Sequence, residues 1–123
     1  MTNYDFKRKL INRAFTFSRN VISLVDSFPN KRSAWIITDQ LIRAATSIGA
    51  NIIEAQAGSS KRDFINFLSH ALKSANETKF WLALAKDVAP TQTELIDKLL
   101  NEVDELAKIL GSSIATLKGR NRL

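Results

Sequence analysis

The stretch Gln40-Leu41-Ile42-Arg43-Ala44-Ala45-Thr46-Ser47-Ile48-Gly49-Ala50-Asn51-Ile52-Ile53-Glu54-Ala55 carries two stripes of opposite character at one spacing. Leu41, Ala44, Ile48, Ile52 and Ala55, with Ile37 upstream, recur every three or four residues, the interval that puts side chains on one face of an α-helix. Gln40, Arg43, Ser47, Asn51 and Glu54 recur at the same interval beside them. The segment reads as an amphipathic helix from about Lys31 to Ala57, closed by Gly58 as a left-handed C-cap.

Working outward, only Ser27-Phe28-Pro29-Asn30, Gly58-Ser59-Ser60 and Ala89-Pro90-Thr91 interrupt helical periodicity, so the chain divides into four segments. The first, about Tyr4 to Asp26, places Phe6, Leu10, Ala14, Phe17, Val21 and Leu24 on one stripe. The third, about Lys61 to Val88, opens with a Ser60-x-x-Asp63 capping box and runs Phe64, Leu68, Ala71, Ala75, Thr78, Leu82, Ala85. The fourth opens with a Thr91-x-x-Glu94 box and runs Ile96, Leu99, Val103, Leu106, Leu110, Leu117. Short connections force neighbouring helices antiparallel, which predicts an all-α, up-down-up-down four-helix bundle over residues 1–118. Residues 119–123 read as a basic tail expected to fray.

The chain's length, 123 residues, suits one domain, and with no cysteine it can form neither a disulfide nor a thiolate site. No long uninterrupted apolar run marks a membrane span or signal peptide, so a cytoplasmic protein is expected. The net charge of +6 is unevenly spread. Over residues 1–86, 13 basic residues face 6 acidic ones; over 87–105, 1 faces 6; over 106–123, 4 face none. A basic body and tail attract polyanions, although the same balance also describes an ordinary solvated surface.

If the second and third helices fold back at Gly58-Ser59, Arg43 comes near Ser74 and Glu77, and an Arg43–Glu77 ion pair is expected. Arg43, Ser47, Asn51, Glu54, Ser74 and Glu77 then read as a structural polar seam, with a pocket between helices as the alternative. His70, the lone histidine, reads as a surface residue. No Glu-x-x-His pair, Gly-x-Ser-x-Gly elbow, phosphate-binding glycine loop or His-Glu-x-x-His helix is present, so hydrolase, nucleotide-binding and metal readings lack their parts, and no cofactor is expected. Gly49, costly in mid-helix, implies close approach either within the bundle or against a second protomer. Phe15, Trp35, Phe80 and Trp81 lie off the main stripes and are assigned to the core or an oligomer seam, with Trp35 and Trp81 expected to meet.

The run from Gln40 through Asp87 resembles the bacterial four-helix-bundle proteins encoded in intervening sequences of large-subunit ribosomal RNA genes. The resemblance rests on Gln40 to Ala45, Ser47 to Ala55, Ser59 to Phe64 and Ala71 to Thr78, with a matching Ser27-Phe28-Pro29 turn upstream. It falls on Arg43, Ser47, Asn51, Glu54, Asp63, Ser74 and Glu77, none of them a catalytic residue in that family. It implies a homopentameric ring, and kinship with the accessory variability determinants of diversity-generating retroelements, which bind nucleic acid and a reverse transcriptase. The leading expectation is therefore a non-enzymatic oligomer that presents Lys7, Arg8, Arg13, Arg19, Lys118, Arg120 and Arg122 to RNA or DNA phosphates. A protein-interaction scaffold is the first competitor, and a small-molecule site or enzyme built on Arg43, Asn51, Glu54 and Glu77 the second.

Overall fold

The structure, a computed structural model, describes residues 2–119. Helices α1 (Asn3–Val25), α2 (Arg32–Gln56), α3 (Lys61–Val88) and α4 (Thr93–Gly119) make the four-helix bundle expected from the periodicity. Each helix packs on its sequence neighbours, and α1 closes the ring on α4. The contact between α2 and α3 is the most extensive and that between α1 and α4 the least.

The stripes read from the sequence form the core. Phe17, Leu41, Ile48, Ile52, Leu82, Ile96, Leu106 and Leu110 are fully buried. Buried alanines, among them Ala14, Ala44, Ala45, Ala71, Ala75 and Ala85, lie between them and let the helices approach closely. Thr78 is the one buried polar residue among those described, and its hydroxyl donates to the Ser74 carbonyl at 2.7 Å. A small cluster of Ala34, Val88 and Ala89, covered by Phe28 and Ile37, closes the end of the bundle opposite the chain termini.

The helix ends depart from the sequence reading in instructive ways. Thr2, unremarked in the sequence, caps α1: its hydroxyl oxygen accepts from the Asp5 amide at 3.1 Å while the Asp5 carboxylate accepts from the Thr2 amide. Ser60 caps α3 by accepting from the Asp63 amide, but the Asp63 carboxylate accepts from the Ser59 hydroxyl at 2.7 Å, so the expected box is half formed. The expected Thr91 cap is absent, because Pro90–Gln92 forms a 3-10 turn that runs directly into α4 and leaves no break to cap. Thr93 instead donates its hydroxyl to the Pro90 carbonyl.

Gly58 is not a left-handed cap, as its φ is not positive. Space favours glycine there: an added Cβ would lie 3.2 Å from the Ala55 carbonyl oxygen and 3.2 Å from Asp63 Cβ, so its neighbours would have to give by a few tenths of an ångström. At Gly49 an added Cβ would meet Ala14 Cβ at 3.4 Å, which is contact without overlap and confirms close approach of α1 to α2. Gly49→Ala is therefore expected to raise stability, by up to about 1 kcal/mol, through helix propensity. Urea unfolding monitored by circular dichroism checks this; a loss of stability would mean that the α1–α2 contact has no slack.

Candidate nucleic-acid interface

The acidic segment of α4 is largely neutralised by ion pairs on the bundle's surface. Arg13 of α1 grips Glu102 through two nitrogens, at 3.1 and 2.7 Å, and reaches Glu105 at 2.7 Å. Lys79 pairs with Asp104 at 2.9 Å, Lys86 with Asp97 at 2.5 Å, and Lys108 with Asp104 at 3.0 Å. Hydrogen bonds from Lys79 and Lys108 hold the Asp104 carboxyl below its ordinary range, and the bonds Arg13 donates to Glu102 and Glu105 push its guanidinium above its own. Arg13, expected to contact phosphates, is thus already clamped between two carboxylates. The sequence alone could not show this, because residues 13 and 102 are brought together only by closure of α1 on α4.

Six of the basic residues outside these pairs are gathered by the topology. Antiparallel packing brings the start of α1, the end of α2, the start of α3 and the end of α4 to one end of the bundle. There Lys7, Arg8, Lys9, Lys61, Arg62 and Lys118 are all exposed, against Asp5, Glu54 and Asp63. Asp5 and Asp63 are engaged in helix caps. Lys118 shares a concavity with Lys61 and Arg62. The opposite end carries Asp26, Asp39, Asp87 and Glu94 against Lys31, Arg32 and Lys98, so the molecule is electrically polar along its axis. Lys9, Lys61 and Arg62 were missed as site candidates; the antiparallel order of the four segments is the signal that places them beside Lys7 and Lys118.

Of the other expected phosphate contacts, Lys7 lies with its ammonium 4.9 Å from the centre of the Phe64 ring. Arg19 is exposed but stands 11 residues beyond Arg8, about 16 Å along α1 and away from the basic end. Arg120 and Arg122 lie outside the described residues.

The polar seam between α2 and α3 is real but narrower than expected. Arg43 donates to Gln40 and to Glu77, and the Trp81 indole donates to the same Glu77 oxygen at 2.8 Å. The Trp81 indole and then Arg43 hold the Glu77 carboxyl below its ordinary range. Ser47 and Asn51 do not bridge the helices. They bond back to the carbonyls of Arg43 and Ser47, one turn earlier in α2. Glu54 is exposed and has no hydrogen-bond or ion-pair partner among the described residues, and Ser74 contributes its carbonyl to Thr78. Trp35 is not a core residue: it is exposed, and its indole donates to Asn30, whereas Trp81 makes its ring contact with Phe80.

An apolar stripe remains uncovered along the α1–α2 seam. Tyr4, Phe15 and Ile22 of α1 are 70%, 62% and 45% exposed, and Ile53 of α2 is 54% exposed. Because Ala14 faces Gly49 and Ser18 reaches the Ala45 carbonyl, Ile53 and Ile42 flank this stripe from across the seam. Among the described residues no group of three His, Cys, Asp or Glu side chains is placed to hold a metal ion, and no helix is long and apolar enough to cross a membrane.

Residues 7–112 match the family model described as 23S rRNA-intervening sequence protein. The chain belongs to that family. The match takes in α2 and α3 whole and most of α1 and α4, including the Arg13 clamp and the α2–α3 seam. A crystal structure of a protein of unknown function from the S23 ribosomal protein family of Bacteroides thetaiotaomicron VPI-5482 is similar to this family member at 35% identity and a TM-score of 0.78. The alignment covers 85% of this chain and 97% of that one, so the bundle is shared nearly end to end. No curated protein matches the chain.

Proposed function

We propose that the protein is a non-enzymatic, self-assembling nucleic-acid-binding protein whose phosphate-contacting surface is the basic end of the bundle. The observation that carries this reading is the sorting of charge. The α4 carboxylates Asp97, Glu102, Asp104 and Glu105 are matched by Arg13, Lys79, Lys86 and Lys108, while Lys7, Arg8, Lys9, Arg62 and Lys118 converge at one end, where they neutralise phosphates and release counterions. In sequence, Arg120 and Arg122 follow immediately and add to the same balance. The uncovered α1–α2 stripe supports assembly with further copies, since several large apolar side chains exposed along one seam mark an interface. The pentameric ring implied by the family resemblance would repeat the basic end around its axis and multiply weak contacts by avidity.

Contacts to phosphates alone give binding that depends steeply on salt and little on sequence. The test is fluorescence anisotropy with RNA and DNA across a salt series. The triple variant Arg8→Ala, Arg62→Ala, Lys118→Ala is expected to flatten the log–log salt slope by about 2. Arg19→Ala, far from this end, is expected to leave it nearly unchanged. Absence of binding at low salt would overturn the reading and leave a protein-interaction scaffold as the better account.

A further inference from the structure

The basic end is also where the bundle is open. Between the starts of α1 and α3 and the last turns of α4 lies a cavity of about 370 Å³, within the roughly 300–1,000 Å³ typical of small-molecule sites. Its floor is apolar, with Phe6 and Phe64 presenting rings and Leu10, Leu68 and Leu117 filling behind them. Phe6 is 43% exposed although it continues the α1 core stripe, and it lines this cavity.

The wall is polar in an unspent way. The hydroxyls of Ser112, Ser113 and Thr116 have no hydrogen-bond partner among the described residues, and Gln56 uses only its amide N–H, on the Ile52 carbonyl. Lys7 stands at the mouth over the Phe64 ring. Between α3 and the last turn of α4 lies a second concavity, lined by Arg62 and Lys118. Flat apolar rings, hydrogen-bonding groups that can both donate and accept, and cations at the mouth and beyond it suit a planar heterocycle with a phosphate on either side.

We infer that this cavity receives one unstacked base of a single-stranded nucleic acid, with the flanking phosphates held by Lys7 on one side and by Arg62 and Lys118 on the other. The inference rests on the nucleic-acid reading above and adds a base-dependent component to it. A continuous strand is favoured over a free nucleotide because the cations line two separate concavities, Lys7 in this one and Arg62 and Lys118 in the other. Base–aromatic contact is tolerant of sequence, so the preference is for unpaired bases in general.

The test compares a single strand of about 12 nucleotides with a baseless strand of the same length and the same phosphates, by anisotropy at each step of the same salt series. The intact strand is expected to bind about tenfold more tightly. Phe6→Ala, and separately the pocket-filling pair Ser112→Leu with Ser113→Leu, are expected to abolish that difference while leaving the salt slope unchanged, since neither removes a cation. Phe6 and Ser112 are exposed, so the variants are expected to fold, and melting curves followed by circular dichroism check that they do. Equal binding of the two strands, or a preference that survives both variants, would overturn the base site while leaving the phosphate reading standing. No binding of either strand at low salt would overturn both.

Discussion

Phe17→Ala is expected to destabilise the monomer fold by about 3–5 kcal/mol, the range found when a buried aromatic is truncated and its neighbours relax only partly. Phe17 is 1% exposed and is the largest fully buried side chain. It stands midway along α1 and packs within the central cluster that includes Ile48 and Leu106. The loss is large against the roughly 5–15 kcal/mol that holds a domain of this size folded. It should lower the midpoint of thermal unfolding by roughly 12–20 °C, read by far-ultraviolet circular dichroism. The consequence is amplified by α1's position, for α1 touches α4 least and relies on its buried stripe and the Arg13 clamp to stay docked. A shift of only a few degrees would show that α1 contributes little to the cooperative core.

Phe15→Glu, two residues away, is expected to have nearly the opposite profile. Phe15 is 62% exposed on the α1–α2 seam, so its replacement removes almost nothing from the core and should leave the melting of the isolated chain within about 0.5 kcal/mol of wild type. If the stripe of Tyr4, Phe15, Ile22 and Ile53 is covered by a second copy, the same change puts a carboxylate into an apolar interface. Each contact should then weaken by about 2 kcal/mol or more, roughly 30-fold in dissociation constant. Light scattering across a concentration series should show assemblies for wild type and the 13.8 kDa monomer for the variant. A wild type that stays monomeric at every concentration, or a variant that assembles equally well, would remove the stripe as an interface.

The pair of experiments also separates two roles that one helix combines. On α1, Leu10, Ala14, Phe17 and Val21 face the core, whereas Tyr4, Phe15 and Ile22 project from a neighbouring face. The sequence marked Phe15 as surplus to the core but could not assign it, because an apolar residue off the main stripe is compatible with either a broad core or a seam. Trp35 shows the same ambiguity resolved outward, its indole tied to Asn30 in the α1–α2 turn.

What the sequence determined by itself was local. Period-3.6 patterning gave four helices, proline and glycine gave their breaks, and short connections gave the antiparallel order, because each of these depends on residues within a few positions of one another. Even the Arg43–Glu77 pair was legible, since a tight hairpin makes residue numbers predict neighbours. Tertiary structure decided the rest. Only the closure of α1 on α4 set Arg13 against Glu102 and Glu105 rather than against solvent. Only the convergence of four helix ends joined Lys7 to Arg62 and Lys118 and left a cavity between Phe6 and Phe64. The role of Gly58 likewise changed from conformational to spatial, because its constraint comes from Asp63 across the turn rather than from its own φ. Side-chain partners far apart in sequence are fixed by how helices rotate and close on one another, and that is settled by packing of the whole core rather than by any single segment.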